Sequence, residues 1–307
     1  MRVAVLMGGS SAEREVSLGT GMAIAGALRE LGHQALEVDV GTDLPMRLTA
    51  GEPDAAFLAL HGRMGEDGCV QGLLEVMRIP YTGCGVLASA VTMDKVVTRE
   101  LLAFHGLPVA EGIVAGSGQE FDAIACRVAE ALSYPVMVKP AREGSSIAVT
   151  EVTRPSGLRE ALELVFACDT RALVERYVKG RLLTVGILGS EPRVLPVVEI
   201  ITREGFYDYK AKYDSRFTEY EVPADISPPL AEAAGSISLA GFNILGCEGI
   251  SRVDIILEDE TGKLVILEVN SIPGMTENSL IPKAAMAAGM SFNDVVAVLL
   301  GGARLKV

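Results

Sequence analysis

Short apolar runs alternate with longer amphipathic stretches over the first 92 residues. Residues 3–7, 35–40 and 55–59 are aliphatic runs of strand length, whereas residues 12–30 repeat apolar side chains at helical spacing. Strands that alternate with helices are typical of a parallel sheet whose connections are helical crossovers. We therefore predict an α/β domain with an open, Rossmann-like parallel sheet for residues 1–92.

The pattern changes after this domain. Residues 93–180 mix helical stretches with short strands and are predicted to form an α+β domain, and residues 181–307 are predicted to form another. A polar, aromatic-rich stretch at 202–220 is long enough to be a lid over a site, with a solvated loop as the alternative. The strands predicted after residue 93 are 109–114, 135–140, 147–152, 172–177, 184–188, 194–200, 252–257 and 264–269.

Charge and composition exclude several classes of function. The chain has 27 Lys and Arg against 40 Asp and Glu, a formal net charge of −13. Because no basic stripe interrupts this surplus, nucleic acid and anionic membranes are disfavoured as partners. No apolar run reaches the roughly 18 to 20 residues of a membrane span, so we expect a cytoplasmic protein. Five scattered cysteines and three scattered histidines favour free buried thiols over a metal site.

Two glycine-rich segments are candidate anion sites. Residues 8–11, Gly-Gly-Ser-Ser, connect the first predicted strand to the first predicted helix. Backbone N–H groups at such a helix start can bind an anion, so we predict an anion site there. Residues 83–88 match G-x-G-x-x-A, but they follow a segment containing Pro80 rather than a convincing strand, which disfavours a dinucleotide site.

The strongest local signal is the segment 138–147, Val-Lys-Pro-Ala-Arg-Glu-Gly-Ser-Ser-Ile. It predicts a strand, a Gly/Ser turn and a second strand. The N–H groups and hydroxyls of such a turn can fold over phosphates, while Lys139 supplies a positive charge. An ordinary surface hairpin is the alternative.

Oxygen-bearing side chains recur in the last two predicted strands. Arg252 and Asp254 share one face of their strand, as do Glu268 and Asn270, because side chains alternate along a strand. Carboxylate and amide oxygens suit Mg²⁺ bound to nucleotide phosphates. A solvent-facing sheet is the alternative. The Pro-Gly turn that follows, within 271–280, could hold a substrate carboxylate on its N–H groups.

Taken in order, these segments resemble the ATP-grasp superfamily and, more narrowly, the D-alanine:D-alanine ligases. The resemblance implies that residues 93–180 and 181–307 form the two parts of an ATP-grasp fold behind the N-terminal domain. The matching segments are 8–17, 61–68, 79–83, 93–95, 139–146, 209–213, 252–254 and 267–280.

The resemblance implies an activity. It is the ATP-dependent joining of two D-alanines for peptidoglycan synthesis, with ADP and phosphate as products. The carboxylate of the first D-alanine attacks the γ-phosphate, and the amine of the second opens the resulting acyl phosphate. ATP and D-alanine are thus the implied small-molecule partners, and a homodimer is expected because such ligases are commonly dimeric.

The resemblance also assigns roles to individual residues. Residues matched to the nucleotide site are Lys95, Lys139, Ser146, Glu175, Phe206, Lys212 and Leu267. Those matched to two Mg²⁺ or Mn²⁺ ions are Asp254, Glu268 and Asn270. Those matched to the reacting groups are Glu13, Ser145 and Tyr213, with Arg252 and Gly274 at the oxyanion. Those matched to substrate contacts are His61, Ser279 and Leu280.

Two positions depart from the family pattern. Leu182 replaces a glutamate that usually bonds the ribose, and Ala148 replaces a glycine after the Gly/Ser turn. Alanine restricts the backbone if that position needs a positive φ. The alternatives are therefore a ligase for another amino-acid pair and a nucleotide-binding pseudoenzyme. Tyr213, where related depsipeptide-forming ligases have phenylalanine, is expected to favour D-alanine over D-lactate as the acceptor.

Overall fold

The computed structural model describes residues 1–202, 218–276 and 279–307. Three separate β-sheets organise these residues, and each takes its strands from one of the three predicted segments. The first sheet is parallel and the other two are antiparallel, which confirms the predicted combination of α/β and α+β classes. The domain boundaries at residues 92 and 180 stay a prediction.

The first sheet has the strand order β2-β1-β3, with helices on both of its faces. Alternate residues of the central strand serve different cores, so that Val3 and Val5 pack on one side and Ala4 and Leu6 on the other. This is the pattern that a sheet buried on both faces requires. The elements are β1 (Arg2–Met7), α1 (Arg14–Glu30), β2 (Gln34–Asp39), α2 (Leu44–Gly51), β3 (Ala55–Leu58), α3 (Cys69–Met77) and α4 (Val86–Met93).

The second sheet is four-stranded, in the order β4-β7-β5-β6. Val136, Val138 and Val174 point into a core closed by helices, and Met137, Lys139 and Glu175 occupy the opposite face. The elements are α5 (Lys95–Phe104), β4 (Gly112–Gly116), α6 (Phe121–Ala131), β5 (Val136–Pro140), β6 (Thr150–Val152), α7 (Leu158–Phe166) and β7 (Arg171–Arg176).

The third sheet has the order β11-β10-β8-β12-β13, and β9 pairs with β8. Val185 and Val253 face a core with α8. On the other face, Leu188 and Ile250 pack into a second core, and Asp254 faces the cleft described below. The elements are β8 (Gly180–Gly189), β9 (Arg193–Val194), β10 (Val198–Thr202), β11 (Thr218–Glu221), α8 (Pro228–Ile244), β12 (Gly249–Glu258), β13 (Leu264–Asn270), α9 (Leu280–Ala287) and α10 (Phe292–Gly301).

Three predicted strands differ from the observed ones. Of the strand predicted at 147–152, only β6 is observed, because Ala148 has a φ of 54° and cannot lie in a strand. The strand predicted at 194–200 is split into β9 and β10, with Pro196 between them, which has no N–H to donate to a ladder. The strand predicted at 109–114 is displaced to β4, and Val109 forms only an isolated bridge.

The first and third segments share one hydrophobic core. Ile24 and Leu28 of α1 belong to the same buried cluster as Ile281 of α9 and Leu299 of α10. This packing holds the end of the chain against the first sheet. It therefore brings the turn before α9 next to the loops at the carboxyl ends of β1 and β3.

The five cysteines differ in their exposure to solvent. Cys84 and Cys247 are buried free thiols as predicted, but Cys69 and Cys126 are exposed and Cys168 is half-buried.

Across the described residues, no single helix has the length and apolarity needed to cross a membrane. Helices α9 and α10 meet those requirements only as a pair, and they are bent by 103° relative to each other.

Candidate active site

Three polar side chains form a row across three neighbouring strands of the third sheet. Thr184 of β8 is directly opposite Asp254 of β12, which is in turn directly opposite Glu268 of β13. Side chains of directly opposed residues lie on the same face of a sheet. The predicted meeting of Asp254 and Glu268 on one face is therefore found, and Asn270 stands beside them, opposite Arg252.

A β-bulge is responsible for this alignment. Ile255 pairs with Ile266 in the core, whereas Asp254 pairs with Glu268, so Leu267 has no partner on β12. With unbroken alternation, Glu268 would follow Ile266 into the core. The extra residue reverses the phase and turns Glu268 toward the cleft, as bulges near functional sites commonly do.

Four hydrogen-bond donors surround the carboxylate of Asp254, which is 7% exposed. Arg252 donates through Nε to Oδ1 at 2.9 Å and through Nη2 to Oδ2 at 2.8 Å. Thr184 Oγ1 donates to Oδ1 at 2.6 Å, and Asn270 Nδ2 donates to Oδ2 at 3.3 Å. These contacts keep a buried negative charge compensated and fix its orientation.

The donor chemistry of this row fits a divalent cation carried by a nucleotide. Among residues 1–202, 218–276 and 279–307, no group of three or more His, Cys, Asp or Glu could hold a metal ion. Asp254, Glu268 and Asn270 offer two carboxylates and one amide. Mg²⁺ is commonly held by one or two carboxylates, with phosphates and water as the remaining ligands, so such a partial set is what it requires.

Lysines approach the same cleft from the second segment. Lys139 Nζ donates to Glu175 Oε2 at 2.7 Å, and Arg99 Nε lies 3.7 Å from the other oxygen of that carboxylate. Lys95 Nζ donates to the carbonyl of Glu143 at 2.5 Å and lies 3.8 Å from Glu268 Oε2. Lys95 thus connects the Gly/Ser turn to the carboxylate row. Arg99, which the sequence did not identify, adds a positive charge beside Glu175.

The Gly/Ser turn contacts the start of α1. Ser145 Oγ donates a hydrogen bond to the carboxylate of Glu13. A Cβ atom on Gly144 would lie 2.7 Å from Glu13 Oε2, so a larger residue there would require the Glu13 carboxylate to shift. The predicted partners Glu13 and Ser145 are therefore in contact, although 131 residues separate them along the chain. Ser146 is the next residue of the turn and accepts a hydrogen bond from Val149 N at 3.3 Å.

Ala148 occupies a backbone conformation that favours glycine, with a φ of 54°. A non-glycine residue in this region costs about 1–2 kcal/mol, more if it is β-branched. We expect Ala148→Gly to be at least as stable as the parent, and Ala148→Val to lose about 1 kcal/mol or more. Urea unfolding midpoints measure both. Ala123→Gly, at an exposed position in α6, is the control and should lose about 1 kcal/mol. Equal losses of stability in Ala148→Gly and Ala123→Gly would contradict backbone strain at Ala148.

Two buried titratable side chains, His61 and Glu66, lie near Glu13. His61 is buried, its Nδ1 lies 3.1 Å from the carbonyl of Ile272 and its Nε2 lies 3.2 Å from Thr20 Oγ1. Burial lowers the pKa of His61, so the ring is neutral, and the carbonyl requires the proton on Nδ1. Glu66 accepts from Gly62 N at 2.6 Å. Burial, together with the nearby Glu13, raises the pKa of Glu66 to about 8, so it keeps its proton at pH 7.

The first glycine-rich loop already binds an anion that belongs to the protein. Gly9 N donates to Asp39 Oδ1 at 3.4 Å, and Gly8 N donates to the Ser17 hydroxyl at 2.8 Å. Arg14 forms a bidentate ion pair with the same Asp39 carboxylate, at 2.7 and 2.6 Å. Asp39, a carboxylate at the end of β2 that the sequence did not identify, therefore lies at the glycine-rich loop. An anion site for a ligand at residues 8–11 stays a prediction.

The Pro-Gly turn precedes α9, which begins immediately after Ser279. Thr276 N donates to Ser279 Oγ at 3.0 Å, and a Cβ atom on Gly274 would lie 3.0 Å from that oxygen. Leu280 is buried in the core shared with the first sheet. Gly274, predicted for the oxyanion, thus lies beside Ser279, predicted for the acceptor, and this turn is held to His61 through Ile272.

Not every predicted site residue can be placed. Phe206, Lys212 and Tyr213 lie outside the described residues, and their roles stay predictions. The sequence also missed Thr184, Arg99 and Glu66. For Thr184 a signal existed, because it is the one polar residue within the apolar run 182–188.

The chain is similar to known proteins in family, in sequence and in structure. Residues 101–301 match the family model described as the D-ala D-ala ligase C-terminus, and residues 43–84 match that of the N-terminus. A D-alanine–D-alanine ligase of Syntrophotalea carbinolica is 47% identical, covering 99% of this chain and 97% of the relative.

Solved structures show the same likeness. The D-alanine–D-alanine ligase of Bacillus anthracis, crystallised with ATP, superposes with a TM-score of 0.85 at 32% identity, covering 98% of this chain and 97% of that one. The VanG D-Ala:D-Ser ligase of Enterococcus faecalis gives 0.84 at 29% identity, covering 98% of both chains. The resemblance first seen in short motifs thus extends over the full length, and the chain belongs to the D-alanine–D-alanine ligase family.

Proposed function

We propose that this protein joins two D-alanines at the expense of ATP, giving D-alanyl-D-alanine, ADP and phosphate for peptidoglycan synthesis. One observation carries the proposal beyond family membership. Groups suited to phosphoryl transfer come from all three segments to one cleft, where Ser145 contacts Glu13 and Lys95 lies 3.8 Å from Glu268. Phosphoryl transfer depends mainly on positioning and on neutralising phosphate charge, and this arrangement supplies both.

The first half of the reaction makes an acyl phosphate. A carboxylate oxygen of the donor D-alanine attacks the γ-phosphorus, the bond to the β–γ bridging oxygen breaks, and ADP leaves. Glu13 is assigned to the donor ammonium, with Ser145 holding its carboxylate in place. Lys95 and Lys139 are assigned to the nucleotide phosphates, where each would exchange its present protein partner for a phosphate oxygen. Ser146, Glu175 and Leu267 are assigned to the rest of the nucleotide site.

Asp254, Glu268 and Asn270 are the residues we assign to Mg²⁺, which when bound neutralises charge on the nucleotide phosphates. Asp254 and Glu268 are directly opposite each other with Asn270 beside them, and this set of two carboxylates and an amide supports the assignment. Mn²⁺ has the same preference for oxygen ligands and is expected to substitute.

The second half of the reaction forms the peptide bond. The amine of the acceptor D-alanine, after giving its proton to solvent, attacks the carbonyl carbon. Phosphate leaves as the carbon–oxygen bond breaks, and the second proton lost by the nitrogen also goes to solvent. Arg252 and the N–H of Gly274 are assigned to the oxyanion of the tetrahedral intermediate, because fixed donors stabilise such charge. His61 holds the turn through Ile272, and Ser279 and Leu280 are assigned to the acceptor.

We also propose a cytoplasmic enzyme that acts on small molecules and forms a homodimer. The cytoplasm supplies ATP and Mg²⁺, and the net charge of −13 disfavours nucleic acid and anionic membranes as partners. The dimer rests on the family resemblance.

The direct test is to incubate the protein with ATP, Mg²⁺ and D-alanine, then measure phosphate release and identify the product by mass. We expect one dipeptide for each phosphate released. D-Serine and D-lactate, offered together with D-alanine, test the acceptor. Preferred formation of a mixed product would indicate a ligase for another pair. Nucleotide binding without turnover on any of these substrates would indicate a pseudoenzyme.

A further inference from the structure

The hydroxyl of Thr184 is enclosed in the third sheet beside the carboxylate of Asp254. The residue is 1% exposed, and its Oγ1 lies 2.6 Å from Asp254 Oδ1 and 3.3 Å from the carbonyl of Val253. A distance of about 2.6 Å is typical of a hydroxyl that donates to a charged carboxylate. The hydroxyl proton therefore points to Asp254, although a neutral backbone acceptor is also within reach.

The four donors around Asp254 differ in how easily they can leave. A carboxylate has about four lone-pair sites, so the two Arg252 contacts, Thr184 and Asn270 occupy all of them. A cation can bind Asp254 only if one donor withdraws. Arg252 has a long, flexible side chain, and the amide of Asn270 can turn its oxygen to where its nitrogen now lies. The short side chain of Thr184 lies on the strand directly opposite and is enclosed, so its hydroxyl oxygen stays beside Asp254.

We propose that Thr184 is a positioning residue for the divalent cation, acting through Asp254. Its hydrogen bond holds the plane of the carboxylate while Arg252 and Asn270 exchange their contacts. The inference rests on the proposed function, because it assumes that Asp254 holds the nucleotide-borne cation. Outer hydrogen bonds of this kind typically change metal affinity by about 10- to 100-fold.

The test compares Thr184→Val, which keeps the shape and removes the hydroxyl, with Thr184→Ser, which keeps the hydroxyl. The probe is Mn²⁺ with β,γ-methylene-ATP, a nucleotide that cannot transfer its γ-phosphate, and binding is followed by electron paramagnetic resonance. We expect Thr184→Val to weaken Mn²⁺ binding about tenfold and to alter the spectrum of bound Mn²⁺. Thr184→Ser should stay within about twofold of the parent.

Two controls separate positioning from a structural role. Thr92→Val removes another buried threonine hydroxyl, which bonds carbonyls of its own helix α4 rather than a carboxylate, and should leave Mn²⁺ binding unchanged. Binding of the metal-free nucleotide should be the same in Thr184→Val and in the parent. If both ligands weaken equally, or if Thr184→Val binds Mn²⁺ like the parent, the inference is overturned. Thr184→Ala gives the same comparison with Thr184→Ser if the valine variant does not fold.

The parent protein tests the proposed function separately. Suppose that the parent makes the dipeptide and binds Mn²⁺ with the nucleotide, while Thr184→Val and Thr184→Ser bind Mn²⁺ equally well. Then only the positioning role fails. If the parent makes no dipeptide and binds no Mn²⁺, the proposed function fails first.

Discussion

Replacing Glu268 with glutamine is expected to lower the rate of dipeptide formation by about 10³-fold while the fold stays intact. Glutamine keeps the shape of the side chain and removes its charge. Glu268 faces Asp254 across the sheet and lies 3.8 Å from Lys95, so its charge acts where the phosphates are proposed to bind. Removal of one well-placed electrostatic group commonly costs about 10²–10³ in rate, and a lost metal ligand adds to this.

The matched control for Glu268→Gln is Glu258→Gln. Glu258 lies on the neighbouring strand β12, four residues from Asp254, and its carboxylate pairs with Arg176 at 2.5 Å. Phosphate release and product mass should stay within about twofold of the parent in this control. Circular dichroism and thermal unfolding should show both variants folded. Normal turnover in Glu268→Gln would remove Glu268 from the proposed Mg²⁺ site.

Local patterns in the sequence correctly predicted the side chains of the carboxylate row. Alternation placed Arg252 with Asp254 and Glu268 with Asn270, and the structure brings the four together. The reason for the alignment was not visible in the sequence. It depends on the bulge at Leu267, which is set by how β13 pairs with β12, and pairing register is a property of two strands.

Contacts between distant segments account for most of what sequence reasoning missed. Asp39 contacts the glycine-rich loop because β2 ends beside β1, and nothing near residues 8–11 indicates this. Thr184 reaches Asp254 only through pairing of strands 70 residues apart. The left-handed turn at Ala148 could be anticipated as a departure from a family pattern, but its φ required the folded loop. Motifs identify chemistry locally, whereas tertiary pairing decides which groups meet.

Replacing Arg252 with lysine is expected to lower kcat by about 10²–10³-fold and to change the KM for ATP only a few-fold. The guanidinium of Arg252 holds both oxygens of Asp254 at 2.8 and 2.9 Å in a planar fork. Lysine keeps the positive charge but cannot make two parallel hydrogen bonds. If Arg252 stabilises the oxyanion, its loss falls mainly on the transition state, which lowers kcat more than substrate binding.

Arg252 also contacts a proposed Mg²⁺ ligand, so the two effects have to be distinguished. Binding of Mn²⁺ with β,γ-methylene-ATP to Arg252→Lys measures directly how much the substitution weakens the proposed metal site at Asp254. Binding within about threefold of the parent, together with a large loss of kcat, assigns Arg252 to the reacting groups. A loss of Mn²⁺ binding as large as the loss of kcat would instead make it a support for Asp254. Arg176→Lys, whose guanidinium pairs with Glu258, is the control. It should leave both quantities near those of the parent, because Arg176 lies on the face of β7 opposite Glu175 and Lys139.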